Sequence, residues 1–76
     1  MVTYYPQLRQ DLESHVRART GRRLRNLDIE LFPERIILHG QAATFHVKQL
    51  AQQGVRDLLP DVYLENAIEV CARNHN

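Results

Sequence analysis

The sequence predicts an α+β fold, a two-layer α/β sandwich of αββαβ order whose two helices cover one face of a three-stranded mixed sheet. Three observations predict it: two segments with apolar residues at helical spacing, three with alternating apolar residues, and glycine or proline at the joints. The 76 residues form one domain, residues 1–76, with its core in residues 7–70. A chain of this size buries only about 60% of its unfolded surface, so dimerisation would help to stabilise it.

The first helix is predicted over residues 7–20. Its apolar stripe is narrow, so we expect it to lie as a cover on the sheet. Gly21 follows, where a helix commonly ends in the left-handed conformation. Tyr4 and Tyr5 precede the helix, and we interpret them as packing against the helix or the core edge, with an interfacial role as the alternative. The residues of the stripe are Leu8, Leu12, His15 and Val16, with Arg19 as an optional fifth member.

A hairpin is predicted next. Two alternating segments, residues 24–32 and 35–40, are separated by a short turn that begins at Pro33. Gly40 ends the second strand, where a glycine indicates a positive φ or a close backbone approach. We therefore expect Gly40→Val to be more damaging than its exposed area suggests. The residues expected to face the core are Leu27, Ile29, Leu31, Ile36 and Leu38.

The second helix is predicted to begin near Phe45, with Thr44 as its N-cap, and to end at Pro60. It is the crossover to the last strand, and we expect a right-handed connection if the second and last strands are parallel neighbours. Ala51 and Gly54 are small and would let this helix approach the sheet closely. The apolar stripe comprises Val47, Leu50, Ala51, Gly54, Val55 and Leu58.

The last strand is predicted over residues 62–70. Asn66 interrupts its apolar face, so we expect a bulge or a side-chain hydrogen bond to the neighbouring backbone, because an unpaired buried amide costs about 1–3 kcal/mol. The residues expected to face inward are Val62, Leu64, Ile68 and Val70.

Charge is unevenly distributed along the chain. Residues 1–25 hold six arginines and two carboxylates, net +4, while residues 26–76 are net −3. A cluster of arginines lies at and after the end of the first helix. Either these cations merely complement the helix dipole, or they form a patch for acidic lipid, nucleic acid or protein. The cluster comprises Arg17, Arg19, Arg22, Arg23 and Arg25.

This pattern resembles the BON family of small bacterial modules, named after osmotically induced and nodulation proteins. The resemblance covers residues 7–70 and is carried by the hairpin ending in a glycine, the alanine-containing helix and the closing strand. It implies the αββαβ sandwich and attachment to phospholipid or a membrane surface, with protein interaction in some members. The family's defining glycine corresponds to Gly40, with a structural role. The matching residues are Ile29, Leu31, Ile36, Leu38, Gly40, Val47, Leu50, Ala51, Val55, Val62, Asn66, Ile68 and Val70.

The functional prediction is therefore a non-catalytic module that attaches to an anionic phospholipid surface through the five arginines, with Tyr4 and Tyr5 as interfacial anchors. The alternative is a protein-interaction or self-association module, including a homodimer, that uses open strand edges and the sheet face around Phe32, Ile37 and His39. Nucleic acid is disfavoured, since the expected open sheet face is acidic and no GXXG loop is present.

No catalytic residues, metal ligands or cofactor are expected. The four histidines lie on separate segments without metal-ligand spacing, and the only serine, Ser14, lies within the first helix. The single cysteine, Cys71, is interpreted as an edge residue, with an intermolecular disulfide or a reactive thiol as the alternative. Because the sequence shows neither a signal peptide nor a membrane-spanning segment, we expect a cytoplasmic location, with peripheral attachment at the inner membrane left open.

Overall fold

The computed structural model describes the backbone of residues 5–71 and the side chains of residues 7–71. Helix α1 (Tyr5–Thr20) leads through a 3₁₀ turn (Gly21–Arg23) into strands β1 (Leu24–Leu31) and β2 (Arg35–Ala42). Helix α2 (Phe45–Leu58) and strands β3 (Tyr63–Asn66) and β4 (Glu69–Val70) follow. The β1–β2 pair is antiparallel and the β2–β3 pair parallel, which confirms the predicted α+β fold with a mixed sheet. That both helices cover the same sheet face stays a prediction.

Strands β1 and β2 form the predicted hairpin, closed by a hydrogen bond from the Phe32 amide to the Arg35 carbonyl of 2.9 Å. The register between them shifts between Arg25 and Asp28, a β-bulge that the sequence analysis did not predict. Asn26 within the bulge has a left-handed φ of 56°. Asparagine tolerates this conformation better than most residues, so one extra residue fits into β1 here.

Gly40 lies on β2 opposite the bulge. A Cβ atom there would lie 3.1 Å from the Arg25 carbonyl oxygen and 3.3 Å from Leu24 Cδ1, and its φ is +157°. Both the close backbone approach and the positive φ expected from the sequence are therefore present. The glycine allows the two strands to stay paired on either side of the bulge.

The predicted last strand is divided into β3 and β4. Asn66 ends β3: its side-chain oxygen accepts from the Ile68 amide at 3.2 Å and its amide nitrogen donates to the Lys48 carbonyl at 3.0 Å. This confirms the predicted side-chain hydrogen bond. The amides of Ala67 and Cys71 still donate to carbonyls of β2, so both short strands pair with β2.

A single apolar cluster joins the helices to the sheet. Leu38, Val47 and Ile68 are buried within it, and Leu27 packs against it, as the sequence predicted. Thr20 is also fully buried; its hydroxyl donates to the Val16 carbonyl at 2.9 Å, so burial leaves no unpaired side-chain oxygen. Both helices and strands β1, β2 and β3 therefore contribute to one core, as expected for a small domain.

Three details of the predicted packing are wrong. Gly54 faces α1 rather than the sheet, because a Cβ atom on it would lie 2.9 Å from the Val16 Cα atom. Leu58, at the last turn of α2, and Val70, on the two-residue strand β4, are exposed instead of buried. Both lie at element ends, where regular spacing no longer dictates which side chains meet the core.

Candidate functional site

Four exposed arginines lie at or next to the turn that leads from α1 into β1, a region that we call the arginine end. The chain turns sharply there: α1 ends at Thr20, Gly21 adopts φ +63°, and β1 begins at Leu24. Two arginines lie in the 3₁₀ turn and one lies on each side of it. The arginine end comprises Arg17, Arg22, Arg23 and Arg25, all exposed.

Arg19, the fifth arginine predicted for this site, is engaged elsewhere. Its Nε atom donates to Asp57 of α2 at 2.7 Å, and a second guanidinium nitrogen lies 2.7 Å from the same carboxylate oxygen. His15 lies 3.4 Å from that oxygen as well. Arg19 thus links α1 to α2 and already has an acidic partner within the protein.

The four arginines of the arginine end have no carboxylate within 4.0 Å among residues 7–71. Arg23 donates one hydrogen bond, from Nε to the Thr20 carbonyl at 3.1 Å, which fixes its stem and leaves the terminal nitrogens to solvent. The other described arginines are engaged within the protein: Arg9 lies 3.8 Å from Asp28 and Arg35 lies 4.0 Å from Glu65. Arg56 donates to the carbonyls of Pro60 and Val62 at 3.1 and 2.6 Å. Positive charge is therefore available to an external anion mainly at this end.

The β-bulge decides the direction of Arg25. In a regular strand Arg25 would share a face with Leu27 and Ile29, which pack in or against the core. The extra residue reverses the alternation, so that Leu24 is buried and Arg25 is exposed. The sequence analysis named Arg25 as a site residue but missed the bulge that turns it outward; the signal available was Asn26, a residue common in left-handed positions.

A small cavity of about 90 Å³ opens between the 3₁₀ turn and the end of β2. Two arginines, a glutamine and the exposed thiol of Cys71 line it, and its size suits a single anionic group such as a phosphate. Arg25 pairs with Gln41 of β2, and Gln41 pairs in turn with Glu69 of β4, which carries the nearest carboxylate among these paired residues. Two strand spacings, about 10 Å, separate its backbone from that of Arg25.

Sequence reasoning missed an exposed aromatic residue close to this end. Phe45, the first residue of α2, is 61% exposed, and the Lys48 ammonium lies 5.9 Å from its ring centroid. Thr44 caps the helix by accepting from the Val47 amide at 3.2 Å, which confirms the predicted cap. Phe45 lies off the buried stripe of α2, and that position was the signal that could have identified it as a surface residue.

The aromatic anchors named from the sequence are not placed: Tyr4 and the side chain of Tyr5 lie outside the described residues. In the described part of the chain, no three histidine, cysteine or acidic residues are grouped so that they could bind a metal ion. Neither α1 nor α2 combines the length and apolar character that crossing a membrane requires.

A second exposed surface lies at the opposite end of the sheet, around the hairpin turn. Phe32 is 42% exposed and Tyr63 is 67% exposed, with the Arg35 guanidinium 5.0 Å from the Phe32 ring. Ile37 is only 9% exposed although it points away from the core, since glutamates on both neighbouring strands flank it. His39 lies 3.1 Å from Glu30 on the same face, so carboxylates accompany the apolar side chains here.

A scan against protein-family models, a search of curated proteins and a search of solved structures each found no match to this chain.

Proposed function

We propose that this protein is a non-catalytic attachment module that binds anionic phospholipid surfaces through its arginine end. One observation carries the proposal: four exposed arginines without a carboxylate neighbour among the described residues lie at one end. Of the other described arginines, Arg9, Arg19 and Arg35 each lie against an acid, and Arg56 donates to two backbone carbonyls. Guanidinium groups match phosphate oxygens in geometry and charge, so a surface of phosphodiesters is a suitable ligand.

The expected affinity is low. Each basic side chain near an anionic leaflet contributes about 1 kcal/mol, so four arginines give about 4 kcal/mol, a dissociation constant of about 1 mM. The attraction acts over a Debye length of about 8 Å at physiological salt. Binding through the arginines alone is therefore weak and salt-sensitive.

The resemblance to the BON family supports a phospholipid surface over nucleic acid, because the family is associated with membrane attachment. The carboxylates on the exposed sheet face also argue against nucleic acid as the ligand. Glu30, Glu65 and Asp28 all lie on β1 or β3, next to β2, where they would repel the backbone of a bound RNA strand.

The double variant Arg23→Gln/Arg25→Gln tests the proposal in a vesicle sedimentation assay. Vesicles of phosphatidylcholine with phosphatidylglycerol are compared with phosphatidylcholine alone, at low and at physiological salt. Losing two arginines, at about 1 kcal/mol each, should weaken binding to the anionic vesicles about 30-fold. Wild-type binding should fall steeply with salt, because exposed charges are screened.

The matched control is Arg9→Gln/Arg35→Gln, which lowers the net charge by the same amount but removes arginines already paired with acids. It should bind nearly as tightly as the wild type. Equal losses in the two double variants would show that only total charge matters, and equal wild-type binding to neutral and anionic vesicles would contradict the proposal outright.

Self-association through the opposite end is the second candidate function. The exposed rings of Phe32 and Tyr63 lie on either side of Arg35, and Tyr63 belongs to β3, whose outer edge is open. Exposed aromatic side chains are the residues most enriched at protein interfaces. A second copy, giving a homodimer, is the partner proposed here.

Sedimentation equilibrium of the wild type and of Phe32→Ser/Tyr63→Ser distinguishes this candidate. If the surface joins two copies, the wild type should dimerise in a concentration-dependent way and the double variant should remain monomeric. A wild type that stays monomeric at high concentration would rule out self-association.

A further inference from the structure

We propose that Phe45 is the hydrophobic anchor of the arginine end: its ring enters the interfacial region of an anionic bilayer when the arginines bind the headgroups. The inference rests on the proposed function and adds a residue to it. It also assigns an anchoring role to a residue of α2, in addition to the predicted anchors Tyr4 and Tyr5.

Strand pairing places Phe45 at the arginine end. Ala42, the last residue of β2, pairs with Leu24 on one side and with Val70 on the other. Ala43 lines the same cavity as Arg23 and Arg25. Since Phe45 follows Ala43 by two residues, their Cα atoms are at most about 7 Å apart.

The chemistry of this surface suits the boundary between headgroups and acyl chains. Phe45 is 61% exposed and Val70 39% exposed, while the ammonium group of Lys48 lies 5.9 Å from the Phe45 ring. The first turn of α2 contains no acidic residue. An apolar side chain beside a cation, at an end of the molecule that also carries arginines, is the combination by which peripheral proteins lie on anionic membranes.

Charge also distinguishes Phe45 from the other exposed aromatic residues. Phe32 precedes Glu34 in the hairpin turn, and Tyr63 is two residues from Glu65 on the same strand face. The Arg35 guanidinium lies 5.0 Å from the Phe32 ring, but it also lies 4.0 Å from Glu65, so its charge is paired. A negatively charged surface would be repelled there, whereas near Phe45 it meets arginines and a lysine. Charge complementarity therefore selects a bilayer with anionic lipid as the occupant of the Phe45 surface.

An apolar anchor would raise the low affinity that is expected from the arginines alone. The arginines alone account for a dissociation constant of about 1 mM. Burying an exposed aromatic side chain contributes about tenfold or more in affinity. Two kinds of contact, one ionic and one apolar, would make attachment effective while it remains reversible.

The chain contains no tryptophan, so single substitutions provide clean fluorescent probes. Phe45→Trp reports on the proposed anchor and Phe32→Trp, at the opposite end, is the matched control. Both are titrated with phosphatidylcholine vesicles with and without phosphatidylglycerol. The emission of the Phe45→Trp variant should shift to shorter wavelength with the anionic vesicles and be quenched by lipids brominated in the acyl chains. The emission of the Phe32→Trp variant should stay unchanged.

Phe45→Ala provides the affinity test. It should weaken binding to the anionic vesicles about tenfold while the far-ultraviolet circular dichroism stays that of the wild type, because the side chain is exposed.

Three outcomes would overturn the inference. Arginine-dependent binding with unshifted emission of the Phe45→Trp variant would remove Phe45 as the anchor but leave the proposed function intact. No binding of any variant to anionic vesicles would remove both. An emission shift of the Phe45→Trp variant that depends on protein concentration without vesicles would show that a second copy covers this surface instead.

Discussion

Gly54→Leu should destabilise the protein by about 3 kcal/mol or more, a large part of the total stability of so small a domain. Gly54 lies where α2 crosses α1, and even a methyl group on it would lie 2.9 Å from the Val16 Cα atom and 3.2 Å from the Val16 nitrogen. Because these are backbone atoms, the two helices must move apart. Urea unfolding followed by circular dichroism measures the loss.

Gln53→Leu is the control, since residue 53 is the exposed neighbour of Gly54 on the same helix. Its stability should stay within about 0.5 kcal/mol of the wild type. Adding Val16→Ala to Gly54→Leu should restore little, because that change removes Cγ2, at 3.2 Å, and leaves the backbone contacts. Wild-type stability for Gly54→Leu would show that the helices are not packed this closely.

Gly40→Val should lower the free energy of unfolding by about 3 kcal/mol, for a different reason. Here the added side chain meets the Arg25 carbonyl oxygen at 3.1 Å, and the φ of +157° is one that β-branched residues rarely adopt. Relief of the contact requires β1 and β2 to separate at the bulge. The same unfolding measurement applies, and the loss should exceed that of a typical half-buried substitution.

Asn26→Gly is the companion variant on the opposite strand. Glycine accepts the left-handed φ of 56° at this position, so the bulge should persist, and the exposed hydrogen bond to Gln41 is all that is lost. Its stability should lie within about 1 kcal/mol of the wild type. A mild Gly40→Val variant, close to Asn26→Gly, would contradict the tight pairing around the bulge.

The elements predicted most accurately are those whose signals are local. Thr44 caps α2 and Pro60 follows its end, because a side-chain oxygen and a missing amide act within one helical turn. Asn66 was recognised because a single amide among apolar residues needs a partner. That partner, the Lys48 carbonyl on α2, could not be read from the strand alone.

The sequence shows which arginines could belong to the candidate site, but not how they are arranged or paired. The arginine cluster is visible in the sequence, yet Arg19 pairs with Asp57, 38 residues away. The spacing of residues along the chain does not reveal an ion pair between two distant segments. Phe45 was read only as the start of a helix, since its proximity to the arginines depends on the pairing of β2 with its neighbours.

The order of the helices and strands, their caps and turns, and the concentration of positive charge in the first third of the chain follow from local sequence patterns. Three features depend on contacts between distant segments: which arginines lack a carboxylate partner among the described residues, the packing of Gly54 against a helix instead of the sheet, and the bulge at Asn26 that turns Arg25 outward. Periodicity and capping act over a few residues, whereas ion pairs, close approaches and strand register depend on segments far apart in the chain.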